Sequence, residues 1–204
     1  MEADLVIGIP DSGVPAAIGY GRAANIPFGL GIVKSKYIAR TFIAPTQIQR
    51  EKAVSVKHSI ITSEVRGKRV VIIDDSIVRG TTMRRLVEIM RAADVREVHI
   101  RIVSPPVRCP CYFGVDTPHR KDLISNGASV TDLCQSLGAD SLAFISVDGL
   151  LESLNPSGYS KAKTSENPAE APKKFTHGYC LGCFSGVYPI PVPQKIMDSE
   201  LSRG

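Results

Sequence analysis

The residue types best suited to chemistry fall in one run, Asp74–Asp75–Ser76–Ile77–Val78–Arg79–Gly80–Thr81–Thr82. Two adjacent acids offer hard oxygen ligands to magnesium, or acceptors to the hydroxyls of a ribose. The small-residue turn after them, with Gly80 and two hydroxyl residues opening a helix, offers backbone N–H groups and a helix dipole to a phosphate. The spacing is not that of a P-loop, which needs GxxxxG followed by Lys and then Ser or Thr. The bland alternative is a capped helix after a strand-to-helix loop, with Thr81 or Thr82 as the cap. A second turn, Pro10–Asp11–Ser12–Gly13, reads by itself as a plain β-turn.

The remaining reactive side chains are less eloquent. Cys180 and Cys183 form a C-x-x-C pair, which alone is compatible with zinc, with a redox pair or with neither. Cys109 and Cys111 lie close together upstream, and Cys134, inside an apparent helix, reads as a small buried hydrophobe. His58, His99, His119 and His177 show no metal spacing and no linked nucleophile. The stretch from Lys34 to Lys57 is basic, polar and only patchily periodic, so it is either a solvated loop or one whose task requires movement.

The elements around these residues alternate. Asp4–Ile9 (DLVIGI) is a short apolar run, as expected of a strand buried on both faces. An Ala-rich helix follows and stops near Asn25–Pro27, and FGLGIV from Phe28 reads as a second strand. Val70–Ile73 is a third, leading into the two acids. MRRLVEIMRAA is an amphipathic helix with Leu86, Val87, Ile89 and Met90 as its apolar side. A strand from Val95, short helices near His119–Ser125 and Val130–Leu137, a strand at Leu142–Ile145 and a helix at Val147–Leu154 complete the pattern. Strands alternating with helices predict an α/β doubly wound domain with a mostly parallel sheet. Ligands in such sheets sit at the carboxyl ends of strands, where both PDSG and DDSIVRGTT are placed. After Leu154 the chain turns to Pro, Ser, Lys and Ala. This gives three expected pieces: a domain over 1–154, a linker over 155–176 and a cysteine-bearing tail over 177–204.

Composition narrows the classes. The chain has 204 residues, 43% hydrophobic and 22% charged, which excludes a disordered or collagen-like chain and leaves material for a core. No apolar run approaches the ~20 residues of a membrane span. The formal net charge of +5 favours an anionic ligand, and because Lys and Arg are scattered, nucleic acid is the weaker reading. Five cysteines without a signal peptide favour reduced thiols or a metal centre and a cytoplasmic location. MEADLVIGIP runs directly into a strand, which suggests a chain that starts inside a domain.

VVIIDDSIVRGTT resembles the phosphoribosyl pyrophosphate (PRPP) signature of type I phosphoribosyltransferases, and DDSIVRGTT is similar to the amidophosphoribosyltransferase family in particular. PDSGVPAAIGY, KYIARTFIAPTQ, REVHIRIVSPPV, PCYFGVD, LGADSLAFISVDGLL and YCLGCFSGVYP extend the resemblance over nearly the whole chain apart from the linker. It implies the type I phosphoribosyltransferase fold, α/β with a mostly parallel sheet flanked by helices. It also implies that Asp74 and Asp75 contact ribose hydroxyls and magnesium, and that Ser76, Ile77, Val78, Arg79, Gly80, Thr81 and Thr82 hold the 5-phosphate. Asp11, Ser12 and Gly13 would form the pyrophosphate loop, with Ser12 near the metal. The stretch Lys34–Lys57 would be the flexible loop closing over PRPP, with Arg40 and Lys57 pairing to the leaving pyrophosphate. In place of the family's usual KNRYVGRTF this chain has KSKYIARTF, so Lys36 brings a point charge where a bidentate fork is usual.

The resemblance further implies that Cys111, Cys180 and Cys183 are three ligands of a 4Fe–4S cluster, the fourth lying upstream of residue 1. Cys109 is a conceivable substitute. The implied activity is attack of ammonia on C1 of PRPP, forming 5-phosphoribosylamine in the first step of de novo purine synthesis. Ammonia would come from a glutaminase domain or a separate glutaminase chain, purine nucleotides would inhibit, and a homo-oligomer is expected. Two other classes compete: a nucleobase salvage phosphoribosyltransferase, and a non-catalytic PRPP or nucleotide sensor. The segment Pro110–Leu154 does not resemble a base-recognising hood.

Overall fold

The computed structural model describes residues 2–34, 58–115, 117, 119–154 and 178–193. Strand β1 (Leu5–Gly8) is buried at every position, as its unbroken apolar run requires. A turn leads into helix α1 (Gly13–Ala24), which stops where Asn25 enters the left-handed region at φ 53°. Strands β2 (Ile32–Lys34) and β3 (His58–Ile60) pair antiparallel, with Ile32 opposite Ile60. A single helical turn, α2 (Thr62–Val65), precedes β4 (Arg69–Asp74), and α3 (Thr81–Ala92) and β5 (Glu97–Ile102) follow. A 3-10 turn (Arg120–Asp122), α4 (Val130–Leu137), β6 (Ser141–Phe144), α5 (Val147–Leu154) and a short α6 (Gly182–Ser185) complete the described chain.

The main sheet has the order β1-β4-β5-β6. β1 and β4 are parallel, in register from Leu5 opposite Val70 to Gly8 opposite Ile73. β6 advances in step with β5: the N–H of Asp140 donates to Val98 O and that of Ile145 to Ile102 O, both at 2.9 Å. This is the α/β fold expected, a parallel sheet flanked by helices. Its core is Val6, Ile7, Val70, Val71, Ile72, Ile73, Val98 and Ile100, none of them exposed. The residues divide into two compact units, Met1–Asp75 with Thr81–Arg101 and Cys134–Ala143, and Ser76–Gly80 with Ile102–Leu133 and Phe144–Gly204.

Departures from the sequence expectations have local causes. The run from Phe28 is not a continuous strand. It touches β1 at one bridge, Phe28 to Val6, and becomes regular only at Ile32. Gly29 and Gly31 bring no side chains to the sheet, and a Cβ on Gly31 would lie 2.2 Å from Ile7 Cδ1. The buried face of α3 is Met83, Leu86, Val87 and Met90, with Ile89 only partly covered. His119–Ser125 contains one 3-10 turn rather than a helix. The pairing of β3 with β2 was not legible, because β3 is short and lies at the end of a polar stretch. No helix among the described residues is long and apolar enough to cross a membrane.

Candidate functional site

Because β1 and β4 run side by side in the same direction, the chain leaves both at one edge of the sheet. The N–H of Ile9 donates to Ile73 O and that of Gly13 to Ile9 O, each at 2.9 Å, folding the turn over the end of β4. The approach leaves no room for side chains. A Cβ on Gly8 would lie 2.6 Å from Val14 Cα, and one on Gly13 would lie 2.4 Å from Ile73 O and 3.3 Å from Asp74 Cα. The Pro10–Asp11 peptide is cis. Two motifs separated by 60 positions in the sequence, Asp11–Ser12–Gly13 and Asp74–Asp75, are thereby brought together.

Ser12 precedes α1, is exposed, and makes no side-chain capping hydrogen bond. Neither α1 nor α3 carries an acid in its first turn. Thr81 and Thr82 are the first two residues of α3, both exposed. Gly80 precedes them at φ 75°, a conformation suited to glycine.

The two acids differ. Asp75 is exposed, whereas Asp74 is partly buried and its Oδ1 accepts the Asp75 N–H at 2.9 Å. Burial pushes the Asp74 carboxyl up to about 7, with the Asp75 charge adding and that hydrogen bond opposing. Lys34, at the end of β2, pairs with Asp11 (Nζ to Oδ2, 2.7 Å). No spacing in the sequence pointed to that pair. A lysine at the edge of a basic stretch was the only signal.

Within its own unit, the loop Ser76–Gly80 is held from inside. Ile77 is 4% exposed, and Val78 O accepts the N–H of Ile124 at 2.9 Å. The same unit holds four of the cysteines. Cys109 is buried. Its N–H and that of Arg108 donate to Cys183 O at 3.0 and 2.9 Å, and its Sγ accepts from Arg120 Nη2 at 3.4 Å. Cys111 N–H donates to Thr117 Oγ1 at 2.7 Å, and Cys111 Sγ accepts from Phe113 N–H at 3.4 Å. Tyr188 donates its hydroxyl to Pro110 O at 2.6 Å and sets its ring edge-on to Tyr112, centroids 5.0 Å apart. Burial, and then the neighbouring Cys111 thiol, push the Cys183 thiol up. Cys134 lies in the other unit, half-buried, its Sγ–H donating to Ala139 O.

The donors fit the two implied groups unequally. Magnesium binds through one or two carboxylates while keeping water and substrate phosphate ligands, and Asp74–Asp75 at a strand end suits that coordination. A 4Fe–4S cluster needs four gathered thiolates. Among the described residues no group of three or more His, Cys, Asp or Glu side chains is arranged to hold a metal ion. Arg40, Lys57 and Lys36 lie outside the described residues.

Residues 1–141 match the family of the phosphoribosyl transferase domain. The chain belongs to that family. Among curated phosphoribosyl transferase relatives, it is 44% identical over 202 residues to the amidophosphoribosyltransferase of Methanothermobacter thermautotrophicus, covering 99% of this chain and 39% of that protein. It is 46% identical over 194 residues to that of Bacillus subtilis, covering 95% and 38%. Among solved structures it resembles the B. subtilis glutamine PRPP amidotransferase complexed with ADP and GMP, at TM-score 0.79 and 45% identity over 95% of this chain and 40% of that one. The chain thus spans about two fifths of the length of the relatives it matches. Its phosphoribosyl transferase match includes the loop at the end of β1, the acids at the end of β4 and the start of α3.

Proposed function

We propose that this chain is the phosphoribosyltransferase portion of an amidophosphoribosyltransferase, joining ammonia to C1 of PRPP with loss of pyrophosphate. The observation that supports the reading is the close packing of Gly13 against Ile73–Asp74, which brings the backbone of the turn 10–13 to the end of β4. In this reading Asp74 and Asp75 bind the ribose hydroxyls and would hold magnesium, with Ser12 beside it. When bound, that ion would neutralise charge developing on the departing pyrophosphate.

The chain's own residues do the remaining work. The turn 10–13 receives the pyrophosphate, and Ser76–Thr82 with the start of α3 receives the 5-phosphate. Arg40 and Lys57 stabilise the leaving group. The nitrogen lone pair forms the new bond to C1 as the C1–O bond breaks, and a proton is lost to solvent. No covalent nucleophile is required. The activity is assigned to residues 1–154, with 155–176 as linker and 177–204 as tail. Ammonia comes from a glutaminase domain or chain, purine nucleotides inhibit, a homo-oligomer is the assembly, and the cytoplasm is the location.

Incubation with PRPP, magnesium and ammonium, followed by pyrophosphate assay, tests this. Release that depends on ammonium supports it. Tight PRPP binding without release would replace it with a sensor, and release that depends on adenine, guanine or orotate would replace it with salvage.

A further inference from the structure

Three backbone and side-chain contacts in the second unit run in series from the cysteine-bearing tail to the loop Ser76–Gly80. Cys183 O accepts the N–H groups of Arg108 and Cys109, which fixes that segment against the tail. Cys109 Sγ, almost fully buried, accepts from Arg120 Nη2 at 3.4 Å. Arg120 opens the 3-10 turn Arg120–Asp122, which continues through buried Leu123 to Ile124, whose N–H donates to Val78 O at 2.9 Å. Val78 is the middle residue of the loop. Together with buried Ile77, this bond ties the loop to the interior of its unit.

In this series the Cys109 sulfur is the acceptor that a guanidinium meets. A guanidinium offers donors in a rigid plane, so an acceptor for one of them sets the direction of the whole side chain. We propose that residues 120–124 brace the 5-phosphate loop, and that Cys109 is a positioning residue that sets this brace through Arg120. The proposal rests on the reading of Ser76–Thr82 as the 5-phosphate site. It concerns how that site is held in shape, not which atoms touch the substrate. An anion cradled by backbone N–H groups is sensitive to shifts of a few tenths of an ångström in the loop, so loosening the brace weakens ligands that carry the 5-phosphate. Pyrophosphate alone, bound by the turn 10–13 in the other unit, is indifferent to it.

The test is calorimetric titration of the full chain, in magnesium, with ribose 5-phosphate and separately with pyrophosphate. Arg120→Met and Cys109→Ala are expected to weaken ribose 5-phosphate by about 3- to 10-fold with pyrophosphate unchanged, the size of one lost hydrogen bond. Cys109→Ser, which keeps an acceptor at that position, is expected to restore binding to within about 2-fold. Equal weakening of both ligands, or no change in either, overturns the brace. Should Cys109→Ala fail to fold, Arg120→Met carries the same comparison, because its side chain is exposed and its removal opens no core cavity. Thr82→Val separates the two readings: if it weakens ribose 5-phosphate while Arg120→Met does not, the loop assignment stands and the brace falls. If wild-type chain binds no ribose 5-phosphate, the loop assignment itself falls, and the brace with it.

Discussion

The two units hold their candidate residues in opposite ways. In the first, acids and turn hang from the ends of neighbouring parallel strands whose central side chains are wholly buried, so their positions follow from the register of β1 on β4. In the second, loop and thiols are held by irregular chain: amides on Cys183 O, a guanidinium on Cys109 Sγ and a tyrosine ring on Tyr112. A sheet transmits position through many redundant hydrogen bonds and close packing, whereas irregular chain depends on single contacts. Perturbations should therefore act sharply in the first unit and gradually in the second.

The largest expected effect is at Gly13. Its Cβ would meet a backbone carbonyl that cannot move without disturbing β4, so Gly13→Ala is expected to cost about 2–4 kcal/mol and to lower PRPP affinity at least ~10-fold. Thermal melting with calorimetric titration checks both, and a wild-type melt would break the contrast.

Asp74 comes next. Its carboxyl lies near 7 when folded and near 3.8 when unfolded, so between these pH values the folded chain holds more protons. Stability therefore falls as pH rises from about 4 to about 7 and is flat above, by an amount on the order of 2–4 kcal/mol. Asp74→Asn should abolish that slope, raise the melting temperature at pH 8 and weaken magnesium–PRPP. Urea titrations across pH read it directly, and an unchanged slope would assign it elsewhere.

Gly182→Ala is the counterpart to Gly13 in the second unit. Its Cβ would lie 2.4 Å from Tyr188 Cδ1, a side-chain atom that can swing aside at the expense of the bond to Pro110 O. The expected cost is about 1–2 kcal/mol, with magnesium–pyrophosphate affinity unchanged. A cost equal to that of Gly13→Ala would erase the distinction between the units. The smallest effect belongs to Lys34→Met. The Lys34–Asp11 pair is exposed, and its loss should leave the melt within about 0.5 kcal/mol while shifting the KM for PRPP 2- to 5-fold.

Much of the first unit was legible because its physics is periodic or local. Leu5–Gly8 and Arg69–Asp74 announce buried strands by composition, and Asp74–Asp75 before a Gly–Thr–Thr helix start announces where an anion and a cation could meet. Helix Val147–Leu154 was readable to its last residue from its apolar spacing. Ile89 and Met83 exchanged roles because helix rotation is decided by the neighbouring sheet, not by the helix alone.

What the sequence determined by itself was chemistry and order: which acids, hydroxyls and glycines stand at strand ends, and that strands alternate with helices. Those follow from side-chain type and from periods of two and 3.6 residues, which are local properties. Only the tertiary structure decided that Gly13 lies on Ile73 O, that Lys34 reaches Asp11, that Asp74 is buried enough to hold its proton near neutrality, and that Arg120 donates to Cys109. Each of these depends on which distant segments share a surface. That is set by the burial of the whole core and has no signature in any one stretch of chain.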